Sequence, residues 1–119
     1  MNKAVMLPRP KITPSVTKKV KLTCGSLYII ITTYKGELFE VFLRLGKSGC
    51  CSTAQVNALA IAISIGLRSN ADPKYFIKHL KGTRCENVSY DGEGKPYLSC
   101  ADAVARYMEE VMNQLGEKK

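Results

Sequence analysis

The sequence contains a single histidine, His79, which lies among lysines near the end of a predicted helix. Hydrolases and transferases with a serine or cysteine nucleophile need a base beside that nucleophile, usually a histidine held by a third group. No arrangement of serine, histidine and acid can be argued from this pattern. We therefore expect a protein that is not an enzyme.

Long apolar runs are also missing. No stretch approaches the roughly 18 apolar residues of a membrane-spanning helix. The stretch from Met1 to Leu7 contains one lysine and is too short before Pro8 to serve as a secretory signal. We expect a soluble, cytoplasmic protein with a single domain, because 119 residues can bury one real core.

Acidic residues are scarce. Ten Asp and Glu stand against 18 Lys and Arg, which gives a net charge of +8 and a pI near 9.4. This balance favours anionic partners such as nucleotides, nucleic acids or anionic surfaces. We do not expect nucleic acid, because the sequence has no basic helix, no interleaved aromatic and basic residues and no helix-turn-helix pattern.

No pair of cysteines has the C-x2-C spacing that makes a zinc site recognisable from sequence. The number of cysteines is odd and no secretion signal precedes them, so a disulfide framework is not expected. Two interpretations remain open, namely buried thiols and a metal site assembled from separate loops. The cysteines are Cys24, Cys50, Cys51, Cys85 and Cys100.

Three prolines between residues 1 and 19 predict an extended N-terminal segment, followed by a folded domain over residues 20–119. Residues from Val20 to Leu45 are rich in β-branched and aromatic side chains, which predicts antiparallel sheet. Its main hairpin comprises Ser26–Tyr34 and Glu37–Leu45, with a turn at Lys35 and Gly36. Residues 19–23 alternate as well and could add a third strand.

Period-2 alternation in the second strand of the hairpin predicts one buried face. The predicted inner residues are Phe39, Val41, Leu43 and Leu45, and the predicted outer residues are Glu40, Phe42 and Arg44.

Helical patterns follow the sheet. The first helix is predicted over Thr53–Ser69, and the second opens with an Asp72 cap and Pro73 and runs to Leu80. A turn-rich segment with short apolar runs predicts a small hairpin, and Ser99 then caps the last helix. The sequence therefore predicts an α+β fold, in which an antiparallel sheet packs against three helices.

The first helix is apolar around most of its circumference, since Ile61, Ala62 and Ile65 extend the apolar face. The apolar surface on both sides of such a helix has to be buried. Self-association into a homo-oligomer would bury it, and so would a central position of the helix between other elements of the same chain.

A ligand site is predicted where the hairpin leads into this helix, because Gly46 and Gly49 bracket a loop that leaves backbone N–H groups for an anion. An ordinary connection between strand and helix would look the same. Arginine side chains and helix N-termini suit phosphates, and an aromatic ring can stack on adenine, although each residue could equally be a surface or core position. The candidate ligand-binding residues are Lys47, Ser48, Ser64, Arg68, Phe76, Arg84, Ser99 and Arg106, with Tyr90 or Tyr97 as other stacking candidates.

Several short segments together resemble a known family in order and spacing. They include R-P-K-I-T from Arg9, L-T-C-G-S from Leu22, G-K-S-G-C-C from Gly46, H-L-K-G-T-R-C, and L-S-C-A-D-A-V-A. This set resembles the TSCPD domain at the C-terminus of adenosylcobalamin-dependent ribonucleotide reductases. The name motif reads L-S-C-A-D here, and Glu86 replaces the proline that usually follows the R-C pair.

The resemblance implies two alternative functions. Stand-alone proteins of this type include phage Thoeris anti-defence proteins, so the first function is a non-catalytic sponge that sequesters cyclic ADP-ribose isomers or cyclic oligonucleotides and needs no cofactor. The second is a zinc-binding or redox accessory domain for a separately encoded reductase, because the chain has no room for a reductase barrel. The cysteines that match the reductases, and would hold zinc, are Cys24, Cys51, Cys85 and Cys100.

Overall fold

The centre of the fold is a three-stranded antiparallel sheet. The computed structural model describes residues 3–23, 25–46, 51–86, 88–90 and 94–117. Strands β1 (Ser15–Leu22), β2 (Gly25–Tyr34) and β3 (Glu37–Leu45) lie side by side in chain order, and each pairs with the next. Lys35 and Gly36 have φ angles of 53° and 78°, the left-handed geometry of a two-residue hairpin turn. The predicted hairpin is confirmed. The additional strand expected over residues 19–23 forms as β1, which starts earlier, at Ser15.

A β-bulge changes the face assignment in β3. Thr32 pairs with Glu40 and Thr33 pairs with Leu38, which leaves Phe39 as an extra residue in the ladder. The prediction that Phe39 lies on the core face is therefore wrong, because the bulge resets the alternation and Leu38 joins the core instead. Phe39 is buried against the Tyr34 ring, with ring centroids 5.3 Å apart.

Three helices and a small hairpin complete the domain. Helix α1 (Cys51–Arg68) packs along β3, and α2 (Pro73–Leu80) packs on α3 (Cys100–Glu117). Strands β4 (Ser89–Tyr90) and β5 (Pro96–Tyr97) form the predicted hairpin between α2 and α3. The predicted α+β architecture with three helices is confirmed. In the part of the chain that the structure describes, no helix has the length and apolar character to span a membrane.

One core joins the inner face of the sheet to the helices. Ile29, Ile31, Ile63, Val104 and Met108 are almost completely inaccessible and belong to a single cluster. On the opposite side of α1, the side chains of Ile61 and Ile65 are 61% and 51% exposed. Part of the apolar surface of α1 is thus uncovered in a single chain.

The ring of Phe76 in α2 packs against the backbone of α1 at Gly66. A Cβ atom at Gly66 would lie 2.5 Å from Cζ of Phe76 and 3.2 Å from Cε2, which is too close unless the ring moves. Glycine at position 66 therefore leaves the space that the Phe76 ring occupies.

We expect Gly66→Ala to lower the free energy of unfolding by about 1 to 3 kcal/mol relative to Gly116→Ala, because the added methyl group overpacks the Phe76 contact. Gly116 also lies in a helix, but a Cβ atom added there would have no neighbouring atom within 4 Å, so its variant reports the gain in helix propensity alone. Urea unfolding of both variants measures the difference. Equal stabilities would show that the ring moves aside freely.

Candidate functional site

Asp102 is a buried carboxylate that joins three parts of the fold. Its side chain is fully inaccessible and accepts hydrogen bonds from the backbone N–H groups of Gly82 at 2.8 Å and Leu98 at 3.0 Å. Nε of Arg106, one helical turn later, donates to both carboxylate oxygens at 3.1 and 3.0 Å. The end of α2, the end of β5 and the first turns of α3 are therefore fixed to one side chain.

Ser99 caps α3, as the sequence predicts. Its Oγ accepts a hydrogen bond from the Asp102 backbone N–H at 3.0 Å and donates one to the carbonyl oxygen of Thr83 at 2.6 Å. The hydroxyl is thus engaged within the fold and only 8% of the residue is exposed. Its role in ligand binding stays a prediction.

The hydrogen bonds to Asp102 determine its protonation. Burial by itself raises the pKa of this carboxyl, but the two backbone N–H donors and the Arg106 guanidinium outweigh burial and hold the pKa below its ordinary value. The carboxylate therefore stays ionised, and it holds Arg106 at the surface of the adjacent groove.

That groove, which we name the basic groove, has a volume of about 270 Å³ and lies between β1, β5 and α3. Four cationic side chains line it, and Tyr97 and Tyr107 contribute to its wall. The cationic residues are Lys18, Lys81, Lys95 and Arg106. Because they come from separate segments, only the folded chain brings them together.

Two lysines of the basic groove are paired with glutamates of α3. Nζ of Lys18 lies 3.1 Å from Glu110 and Nζ of Lys81 lies 2.7 Å from Glu109. Partial burial lowers the pKa of Lys18, but the hydrogen bond and charge of Glu110, with contributions from Tyr97 and Tyr107, raise it above its ordinary value. Surface pairs of this kind contribute at most about 1 kcal/mol each, so the two glutamates hold these lysines only weakly.

Burial also raises the pKa of Tyr107 above its ordinary value, and the charge of Glu110 adds to this effect. Its ring lies 5.6 Å from the Lys18 ammonium group. Tyr107 is therefore a neutral hydrogen-bonding and packing group at neutral pH.

A larger groove of about 430 Å³ lies between the β2–β3 turn, the α1–α2 connection and the end of α3. Its charged lining residues are Glu37 and Asp72, and none of the described residues that line it is basic. This groove does not suit an anion, so we assign the candidate site to the smaller basic groove.

The structure places two predicted ligand residues elsewhere, in α1 beside β3. Oγ of Ser64 accepts a hydrogen bond from the Val41 N–H at 3.0 Å and donates one to the Val41 carbonyl oxygen at 2.9 Å. Arg68 donates to the carbonyl oxygen of Leu7 from Nε at 3.0 Å and from Nη2 at 2.9 Å. Both side chains satisfy backbone groups, and they lie in a third groove that shares no lining residue with the basic groove.

The remaining predicted ligand residues do not gather around one site. Phe76 packs on Gly66, while Arg84 is exposed in the segment that follows α2. Lys47 and Ser48 lie outside the described residues. Among the other stacking candidates, Tyr97 lines the basic groove and Tyr90 is exposed. Sequence reasoning missed Lys18, Lys81 and Lys95, because no local pattern distinguishes them from solvated lysines.

The side chains of two of the four cysteines proposed for zinc are described, and these two residues, Cys85 and Cys100, lie on adjacent segments. The backbone N–H of Cys85 donates to the carbonyl oxygen of Leu98 at 2.9 Å, which places residues 83–85 beside the start of α3 at Cys100. Both cysteines are half-buried. Cys24 and the side chain of Cys51 lie outside the described residues, and the described residues contain no group of three or more potential metal ligands.

We expect Asp102→Asn to lower the free energy of unfolding by about 2 to 3 kcal/mol, because one amide cannot accept all the bonds that the carboxylate accepts. Since folding lowers the pKa of Asp102, its contribution is present above the unfolded value of about 3.9 and is lost as the pH falls through the folded value. The variant should lack this part of the acid dependence in urea unfolding between neutral and acidic pH.

Asp72→Asn is the matched control, because the exposed Asp72 cap accepts a hydrogen bond from the Lys74 N–H and asparagine caps equally well. Identical acid profiles for wild type and Asp102→Asn would contradict the assignment.

The family model of the TSCPD domain matches residues 3–112 of the chain. No curated protein and no solved structure matches the chain. The matched range includes most of the N-terminal segment, the sheet, helices α1 and α2, and the buried Asp102 of the L-S-C-A-D motif in α3. The chain therefore belongs to the TSCPD domain family.

Proposed function

We propose that this protein is a non-catalytic sponge that sequesters a cyclic nucleotide immune signal, either a cyclic ADP-ribose isomer or a cyclic oligonucleotide. Its membership of the TSCPD family and the resemblance to stand-alone anti-defence proteins support this function. The basic groove would bind the phosphates of such a ligand through its cationic side chains.

The observation that carries the proposal is the clustering of four cationic side chains in one groove. Arg106 presents a planar guanidinium whose Nε is fixed by Asp102, and such a group recognises phosphate oxygens through paired hydrogen bonds. Lys18 and Lys81 add two further positive charges, from β1 and from the segment that follows α2. A pyrophosphate placed here would replace the carboxylates of Glu109 and Glu110 as partner of the lysines.

The size of the groove limits how much of the ligand it encloses. Its volume of about 270 Å³ lies just below the roughly 300 to 1,000 Å³ that is usual for small-molecule sites. A phosphate pair with part of a ribose fits this space, and the base would extend beyond it.

The lining residues also support binding without turnover. Neither histidine nor cysteine occurs among the described residues that line the basic groove. Its carboxylates are paired with lysines, which favours a passive site over one that activates water.

Isothermal titration calorimetry with cyclic ADP-ribose isomers and cyclic trinucleotides tests the proposal. We expect saturable binding to at least one of them and recovery of the ligand unchanged by liquid chromatography. Lys81→Ala should weaken binding about tenfold or more, because a hydrogen bond to a charged group contributes about 1.5 to 3 kcal/mol.

Lys74→Ala is the matched control for this experiment. It removes the same charge from an exposed lysine of α2 that does not line the basic groove, so the affinity should be unchanged. No heat with any of these ligands, or equal losses in both variants, would contradict the proposal.

The accessory domain of a ribonucleotide reductase is a second candidate function, favoured by the position of Cys85 beside the start of α3 at Cys100. These two thiols would supply half of a four-cysteine zinc site. Cys24 and Cys51 would have to supply the other half.

Under this second function, protein purified without a chelator should carry one zinc per chain in native mass spectrometry. Cys85→Ser or Cys100→Ser should then lose the metal and unfold, because the free energy of zinc binding contributes to folding. Cys50→Ser is the control, since Cys50 has no counterpart in the matched set. Metal-free protein that is stable would exclude the zinc form of this function.

A further inference from the structure

The face of the three-stranded sheet that points away from the core, which we name the outer face, carries two aromatic rings on neighbouring strands. Tyr28 of β2 is half-buried and Phe42 of β3 is 40% exposed. Tyr28 pairs with Arg44, and Ile30 pairs with Phe42, so the two rings are diagonal neighbours. Diagonal neighbours on a sheet lie about 7 to 8 Å apart. A ligand with two planar groups can therefore contact both rings.

Basic side chains flank these rings across the strands. Tyr28 pairs with Lys19 of β1 on one side and with Arg44 of β3 on the other. Lys21 lies two residues beyond Lys19 in β1 and therefore points to the same face. The three cationic residues are exposed, and none of them forms an ion pair with the residues that the structure describes. Their positive charge is thus available to an anion.

The negative charge on the outer face is already paired. Among the described residues of the three strands that point to this face, Glu40 is the only acid. It is 2% exposed, and Nε and Nη2 of Arg9 donate to its two oxygens at 2.8 and 2.7 Å. The Arg9 guanidinium carbon lies 5.8 Å from the centre of the Phe42 ring, and the Lys19 ammonium group lies 5.7 Å from that of Tyr28. Each ring therefore has a cation beside it, and the pairing of Glu40 leaves the face positive.

Exposed rings beside unpaired cations on an open sheet suit a single-stranded nucleic acid. Proteins that bind single strands stack the unpaired bases on aromatic rings and place the phosphates along a positively charged surface. The expectation that this protein does not bind nucleic acid rests partly on the lack of interleaved aromatic and basic residues along the chain. In the folded sheet the interleaving occurs across the strands, where Lys19, Tyr28 and Arg44 are neighbours although they are distant in sequence.

We propose that the outer face of the sheet binds single-stranded nucleic acid, with unpaired bases stacked on Tyr28 and Phe42 and phosphates held by Lys19, Lys21 and Arg44. This surface is separate from the proposed cyclic-nucleotide site, because none of these five residues lines the basic groove. Failure of one proposal therefore leaves the other intact.

Fluorescence anisotropy of the full-length protein with fluorescein-labelled oligothymidylate and oligouridylate, each about 12 nucleotides long, tests the proposal. We expect saturable binding to at least one of these single strands at low salt. A duplex of the same length should bind more weakly, because its paired bases are not free to stack on the rings. Phe42→Leu should weaken binding about fivefold or more, which corresponds to the loss of one stacked base. Phe42→Tyr keeps the ring and should retain the wild-type affinity.

Tyr75 of α2 provides the matched control. It is 58% exposed, and the Lys74 ammonium group lies 5.5 Å from its ring, but it is not part of the sheet. Tyr75→Leu should therefore leave the affinity unchanged. The double variant K19A/R44A should reduce the slope of log affinity against log salt concentration by about 1.4, the value for two lost phosphate contacts. K74A/K78A removes the same charge from α2 and should not change this slope.

The proposal would be overturned if neither single strand binds at low salt, or if the duplex binds as tightly as the single strands. Equal losses of affinity in Phe42→Leu and Tyr75→Leu would also contradict it. Equal salt slopes for the two double variants would show that net charge alone attracts the oligonucleotide, which would contradict it as well. Should Phe42→Leu not fold, the two double variants carry the test.

Discussion

Burial of a carboxylate is the constraint on which most of this structure depends. An unpaired buried charge is costly, so each such group has to collect hydrogen-bond donors from the surrounding chain. Asp102 accepts hydrogen bonds from the N–H groups of Gly82 and Leu98 and from Nε of Arg106, and these bonds fix the start of α3. Glu40 accepts hydrogen bonds from Arg9, which lies outside the sheet, and these bonds fix the extended N-terminal segment. Two carboxylates therefore help to fix the start of α3 and the N-terminal segment on the rest of the fold.

The same constraint explains why the arginines of a strongly basic chain are not interchangeable. Arg68 donates hydrogen bonds to the Leu7 carbonyl oxygen and lies near the Glu40 carboxylate, so its guanidinium is already paired within the fold. Arg106 differs, because Asp102 holds its Nε while the side chain still lines the basic groove with Lys18, Lys81 and Lys95. A structural ion pair thus positions a guanidinium at the wall of the basic groove. Lys18 and Lys81 beside it are paired with partly exposed glutamates, and such exposed pairs are weak.

Local patterns predicted most of the fold. The β-branched and aromatic run of β2, the Lys35-Gly36 turn, the Asp72-Pro73 cap and the Ser99 cap each depend on neighbouring residues, and the structure contains all of them. The bulge at Phe39 was missed because it depends on pairing with β2. The burial of Glu40 was missed because Arg9 is 31 positions away in the sequence. The basic groove was found only in part, since Arg106 is near a recognisable helix start but its lysines come from distant segments.

Mapping of amide chemical shifts by NMR tests most directly whether the basic groove is the site for a nucleotide-like anion. Cyclic ADP-ribose and the other cyclic nucleotides would be titrated into ¹⁵N-labelled protein. We expect shifts concentrated at the end of α2, in β5 and in the first turns of α3, around Lys81, Tyr97 and Arg106. Shifts centred on the groove beside Glu37 and Asp72, or no shifts with any of the cyclic nucleotides, would contradict this assignment.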